Sequence, residues 1–294
     1  MSKSVRTILV AIDPTPASQS AYRQALRLAV SMQARLVAVS VTPQYEGNMH
    51  RWKINNANEQ FSQPFQQCLQ EAAKLAESLG QSVRIVHKCG DPCEEIVTLA
   101  EEAGAGLLIV GCPKRSFVER VLLGRTAAKV IGLSPCDVLM IPEGAEVNFS
   151  RILVGIDGSQ YSMEAGQQAL DLALTYGGEV HALTVLDIPL NRSLLYKVLD
   201  EARRKCSVFL QRVVEQGQIL GVPVVTAIRE GAPYEGIVQY SGEKEMQLIV
   251  LGSLGHTAFA RILLGSVVER VATLSPLPIL VVKKLDGNGV RNPL

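Results

Sequence analysis

A chain of 294 residues has room for about two domains of ~150 residues each. With 47% hydrophobic and 19% charged residues it can bury an ordinary core in each, which excludes disorder as its governing state. Its 29 basic and 28 acidic residues nearly cancel, so net charge gives no argument for nucleic acid as a partner.

The chain opens with MSKSVRTILVAIDPT, two cations and an apolar run that stops at Asp13, too short for a signal-peptide core. No stretch reaches the ~18 apolar residues needed to span a bilayer, so a cytoplasmic protein without membrane attachment is expected. The β-branched run ILVAI, from Ile8, reads as a strand buried on both faces. It leads past Asp13 to an amphipathic helix, SQSAYRQALRLAV, whose expected cap is Ser18. ARLVAVSV, from Ala34, is the second strand. The polar segment QYEGNMHRWKINNANEQFSQPFQQ, which holds Trp52, then runs into a long helix ending near Leu79. A third strand, VRIVH, meets the turn Gly90-Asp91-Pro92, which opens a helix with proline in its first turn, where a missing N–H costs least. LLIVG, from Leu107, is the fourth strand and enters the loop GCPKRSFVERVLLGR, Gly111 to Arg125; a helix and the strand DVLMI close the series.

After the polar join EGAEVNFS the same series begins again. ILVGI stands before Asp157, 144 residues beyond Asp13, and SMEAGQQALDLALTY follows with its expected cap at Ser162. GEVHALTV, a long helix ending near Leu220, VPVVTAI, a turn with Pro233, LIVLG and PILVV complete the second copy. The chain is a tandem duplication: residues 1–143 form one domain, 144–150 a linker, 151–285 a second domain, and 286–294 a frayed tail rich in glycine and asparagine. Five strands alternating with four helices predict an α/β fold with a doubly wound parallel sheet in each copy. The ligand site of such a sheet lies beyond the carboxyl ends of its strands, where both aspartates and both glycine loops stand.

The second copy of that loop, GSLGHTAFARILLGS, spaces its residues as Gly252, two residues, Gly255, nine residues, Gly265, Ser266. Glycines permit positive φ and close backbone approach, so amides can converge on an anion, and Ser266 begins the helix SVVERVATL, whose amino terminus favours phosphate. No G-K-[ST] of a Walker loop and no G-x-G-x-x-G after the first strand is present.

On the tandem architecture, the aspartate after the first strand and the motif G-x2-G-x9-G-[ST] after the fourth, the chain resembles the universal stress protein family over nearly all of both halves. The resemblance implies five-stranded parallel sheets of order 3-2-1-4-5, of the adenine-nucleotide alpha-hydrolase type and related by a pseudo-twofold. It also implies ATP, with or without Mg2+, as ligand of motif-bearing copies. Carried over, it implies Asp157 on the ribose or base, Gly155 and Ile156 along the adenine slot, and Val185 offering backbone groups to the adenine edge. Leu251, Gly252 and Gly255 would shape the phosphate loop, Gly265, Ser266 and Val267 would supply amides and a hydroxyl, and His256 is a further phosphate donor or a solvated loop residue. The first copy keeps Asp13, Val41, Gly111 and Gly124 but has Lys114 and Arg125 where the second has Gly255 and Ser266. A lysine at a positive-φ position is costly by ~1 kcal/mol or more, and arginine fills the phosphate space, so this copy is expected to have lost ATP. The alternatives are a different anion held by Lys114, Arg115 and Arg125, or solvated cations that bind nothing.

Neither a carboxylate base nor a P-loop lysine stands by the intact loop, so catalysis is expected to be absent or limited to slow hydrolysis, with Arg261 the one further candidate for a phosphate contact. Cys89, Cys93, Cys112 and Cys136 are expected to be reduced, partly buried thiols rather than a metal site. The expected function is a nucleotide-dependent regulator of a stress response; a slow ATPase and an interaction scaffold using the Trp52 segment are the other readings. The resemblance implies pairing of fifth strands, giving an internal pseudo-dimer and leaving a homodimer open; no nucleic acid or membrane partner is expected.

Overall fold

A computed structural model describes residues 5–44, 57–113, 125–187, 196–255 and 264–283; side chains are described in these ranges except at 57–59, 125 and 196–199. Lys114, Arg115, Gly124, His256, Arg261, Trp52 and the tail lie outside the described residues, as does the side chain of Arg125. Described residues through Ala145 form one compact unit and those from Glu146 a second.

The first unit runs β1 (Thr7–Ala11), α1 (Pro16–Ser31), β2 (Arg35–Pro43), α2 (Ala57–Ser78), β3 (Val83–Gly90), α3 (Pro92–Glu102), β4 (Leu107–Cys112), α4 (Arg125–Leu133) and β5 (Asp137–Pro142). All neighbours are parallel, in the order 3-2-1-4-5. The second unit repeats it with β6 (Arg151–Gly155), α5 (Gln160–Tyr176), β7 (Glu179–Leu186), α6 (Tyr196–Leu220), β8 (Val224–Glu230), α7 (Pro233–Glu243), β9 (Leu248–Gly252), α8 (Ser266–Leu274) and β10 (Ile279–Val282). Its order is 8-7-6-9-10, again all parallel.

The central strands are covered on both faces, which is why they read as unbroken apolar runs: Ile8, Leu9 and Val10, like Ile152, Leu153 and Val154, are fully buried. Right-handed crossovers in this order put α5 and α6 on one face and α7 and α8 on the other. Side chains agree. A Cβ on Gly155 would point at Ile237 of α7, 3.6 Å away, whereas the next residue, Ile156, turns the other way, its Cδ1 3.4 Å from where a Cβ on Gly166 of α5 would be.

The helix starts differ from the sequence expectation. α1 is capped by Thr15 and α5 by Ser159, whose side chains accept from the N–H groups of Ser18 and Ser162. The expected caps Ser18 and Ser162 lie inside the first turn because that turn is partly polar and the apolar period begins only after it. Their hydroxyls instead accept the N–H of Asp13 at 2.8 Å and of Asp157 at 3.3 Å, tying each aspartate to its helix.

The join is not uniformly polar in its contacts. Phe149 is buried, stacks on Tyr176 with ring centroids 4.4 Å apart, and its carbonyl lies where any side chain at Gly178 would have to go. Replacing Phe149 by alanine should therefore cost the second unit about 3 kcal/mol. Urea unfolding followed by the near-UV signal of that unit checks it; a loss below about 0.5 kcal/mol would mean that this stack is not part of its core.

Candidate functional site

In each unit the order reverses between the first strand and the fourth, and an aspartate follows the first strand there. In the second unit β6 ends at Gly155, and Ile156 donates its N–H to the Leu183 carbonyl at 2.8 Å while its own carbonyl accepts the Thr184 hydroxyl at 2.7 Å. These bonds extend the sheet's hold by one residue and deliver Asp157 to the rim. There Oδ1 of Asp157 accepts the Ser159 N–H at 2.8 Å, so the carboxylate is braced against the first turn of α5. Asp13 is braced in the same way by the N–H and hydroxyl of Thr15, at 3.1 and 2.6 Å.

The loop after β9 comes to this aspartate. A Cβ on Gly255 would lie 2.8 Å from Oδ2 of Asp157, which places the loop's second glycine directly against the carboxylate. The loop is closed at its base, where Gly265 donates to the Ser253 carbonyl at 3.0 Å and Ser253 donates to Val282 of β10. Gly265 is the N-cap of α8 and no side chain caps that helix, so the amides of its first turn, beginning with Ser266 and Val267, are left to whatever lies before them. Ser266 is exposed, and Leu251 is buried beneath the loop.

The glycines act through space rather than through φ, contrary to the expectation of positive-φ positions. Gly265 has φ −65°, and none of Gly111, Gly252 and Gly255 is in the left-handed region. At Gly252 a Cβ would be 2.6 Å from the Tyr161 carbonyl carbon, and at Gly111 it would be 2.5 Å from the Ala17 carbonyl oxygen. The loop's first glycine is thus demanded by helix-on-strand packing in both units, which explains why the first copy retains it. Its presence there says nothing about a ligand.

Val185 ends β7 on the α7 side, where Gly236 leaves room for it: a Cβ at Gly236 would be 2.8 Å from Val185 Cγ2. Gly155 faces the same side. Ile156 is 2% exposed and turned toward α5 and α6, so toward a ligand on the α7 side it offers only backbone. In the first unit the position of Gly236 holds Glu95, whose side chain lies against Gly90 and pairs with Lys88 at 3.6 Å. Val41 there is buried. Gly236 and Glu95 were missed as site-shaping residues, although REGAPYEGIV set against KCGDPCEEIV displays the difference.

All six cysteines are free, Cys89 exposed and the others buried, and burial raises the thiol pKa of Cys93 above its ordinary value. Among the described residues no His, Cys, Asp or Glu cluster has metal-binding geometry, and no helix is long and apolar enough to cross a membrane.

The chain matches the model of the universal stress protein family twice, over residues 4–142 and 148–283. It is 28% identical over 309 aligned positions to a universal stress protein of Mycobacterium tuberculosis, covering 94% of this chain and 96% of that one. A universal stress protein of Methanocaldococcus jannaschii is 36% identical over 144 positions, 46% of this chain and 83% of its own length. The crystal structure of a universal stress protein from Archaeoglobus fulgidus shares the fold, with a TM-score of 0.73 at 22% identity over 96% of this chain and 99% of that one.

The two loop glycines should part company on substitution. Gly252→Ala drives a methyl into backbone and should destabilise the second unit by about 1–3 kcal/mol. Gly255→Ala meets, among the described residues, one side-chain oxygen of Asp157 rather than backbone, and should cost less than Gly252→Ala, about 1 kcal/mol or below. Urea denaturation of both variants measures this; the reverse ranking would contradict the packing role given to Gly252.

Proposed function

The chain belongs to the universal stress protein family, and from that premise we propose that it binds ATP at the rim of its second unit and serves as a nucleotide-dependent regulator of a stress response. The observation that carries this reading is the approach of Gly255 to the Asp157 carboxylate, beside a helix whose amino terminus no side chain caps. A nucleoside-facing acid and an anion-facing set of amides are thereby brought to one rim, and glycine at 255 adds no side chain between them. Asp157 holds the ribose or base. The backbone beside Val185 meets the adenine edge. The amides at Ser266 and Val267, with the Ser266 hydroxyl, take the phosphates, favoured by the partial positive charge at the start of α8.

The first unit has no such opening in this reading. Glu95, paired with Lys88, stands at the position of Gly236, and Lys114 and Arg125 replace the residues corresponding to Gly255 and Ser266. ATP acts here as a ligand rather than as a substrate: bound only by the folded protein, it adds stability and selects one conformation of the loop. At 100 times its dissociation constant that gain is about 2.7 kcal/mol.

Thermal unfolding with and without ATP tests the proposal. The wild type should gain stability from ATP, and Gly255→Lys, which places the first copy's residue against Asp157, should lose the gain while unfolding normally without nucleotide. Equal stabilisation of both proteins would overturn the reading.

A further inference from the structure

The two units differ at another place, on the face of the sheet away from the nucleotide loop. In the second unit the ring of Phe209, on α6, lies flush on Gly158, with ring carbons 2.2–2.5 Å from where a Cβ would be. In the aligned repeat the position of Phe209 is Cys68 and that of Gly158 is Pro14. Cys68, the counterpart of Phe209, lines a cavity of about 230 Å³ between α1 and α2, beside Asp13.

Its floor is apolar and its rim is charged. Ile12, Tyr22, Cys68 and Ala72 are buried, and Leu75 completes the apolar lining. The Tyr22 hydroxyl is spent on the Ala72 carbonyl at 2.8 Å, Cys68 donates to the Phe65 carbonyl at 3.0 Å, and the buried Ser18 hydroxyl accepts the Asp13 N–H at 2.8 Å, so the floor is mainly a contact surface. Burial holds the Cys68 thiol above its ordinary pKa and pushes Tyr22 up to about 12, which keeps both neutral near pH 7. At the rim Asp13, Glu71 and Arg23 are exposed, two carboxylates against one guanidinium, with the Gln19 amide beside them. An apolar hollow lined by the residue that aligns with a phenylalanine of the sister unit, with a net negative mouth, selects one chemistry.

We propose that this cavity is a second ligand site, specific to the first unit, for a compact amine carrying a single aromatic ring: the ring enters between α1 and α2 and the ammonium group stays at the rim with Asp13 and Glu71. It is independent of the nucleotide reading, since it uses neither glycine loop. A ring buried in a preformed apolar space gains from transfer alone, and exposed carboxylates add a small bias toward cations.

Benzylamine is the probe, followed by NMR titration of the full chain. It should bind with a dissociation constant on the order of 1 mM, about fivefold or more tighter than benzoate, with shifts confined to α1 and α2. Cys68→Phe, which supplies the sister unit's ring, should abolish binding, and Glu71→Gln should narrow the preference over benzoate. Benzylamine should also slow modification of Cys68, but not of exposed Cys89, by methyl methanethiosulfonate, a readout on the wild-type chain that stands if Cys68→Phe fails to fold. Absence of benzylamine binding, equal binding of benzoate, undiminished binding to folded Cys68→Phe, or no protection of Cys68 would each overturn the proposal.

Discussion

The rest of the rim depends on one steric contact, the backbone of Tyr161 laid against Gly252 with no room for a Cβ between them. It brings the first turn of α5 onto the end of β9, and since Asp157 is bonded to that same turn through Ser159 and Ser162, it also brings the carboxylate to the loop. The first unit makes the same contact between Ala17 and Gly111. In the second unit packing alone therefore juxtaposes aspartate and loop before any ligand is considered, and in the first it sets the same helix turn against the loop's first residue. Function then turns on what the next few residues put in the gap.

The two copies have diverged in that gap and around it. The second unit has Gly255 against Asp157 and Gly236 against Val185, whereas the first has Lys114 in the loop and Glu95 folded against Gly90. They differ again between the first two helices of each unit, where Phe209 packs on Gly158 in the second and Cys68 lines a cavity in the first. Two copies of one fold thus differ around the rim while each keeps its own buried central strand, Ile8–Val10 in one and Ile152–Val154 in the other.

Much of this was legible in the amino-acid chain because a duplication supplies its own comparison. The apolar runs of four or five residues, the Gly-x-Pro turns and the spacing of the two loops locate every strand and order the helices. The helix caps were misplaced by one turn, because apolar periodicity reports where a helix is buried and not where Thr15 or Ser159 begins it. The glycine loop was found by pattern but its physics was misread: backbone approach from a sequence-distant helix, at Gly252, is a tertiary fact that no local window contains. For the same reason the cavity beside Asp13 was invisible, since it needs Cys68 of α2 and Tyr22 of α1 in one view.

The proposal at stake is one nucleotide per chain: packing sets both aspartates at the rim, but only the second loop carries Gly255 and Ser266, where the first has Lys114 and Arg125. Native mass spectrometry of the intact chain, titrated with ATP, counts bound nucleotides directly. Saturation at one nucleotide per chain is the result this account predicts; saturation at two, or no bound nucleotide at all, would contradict it.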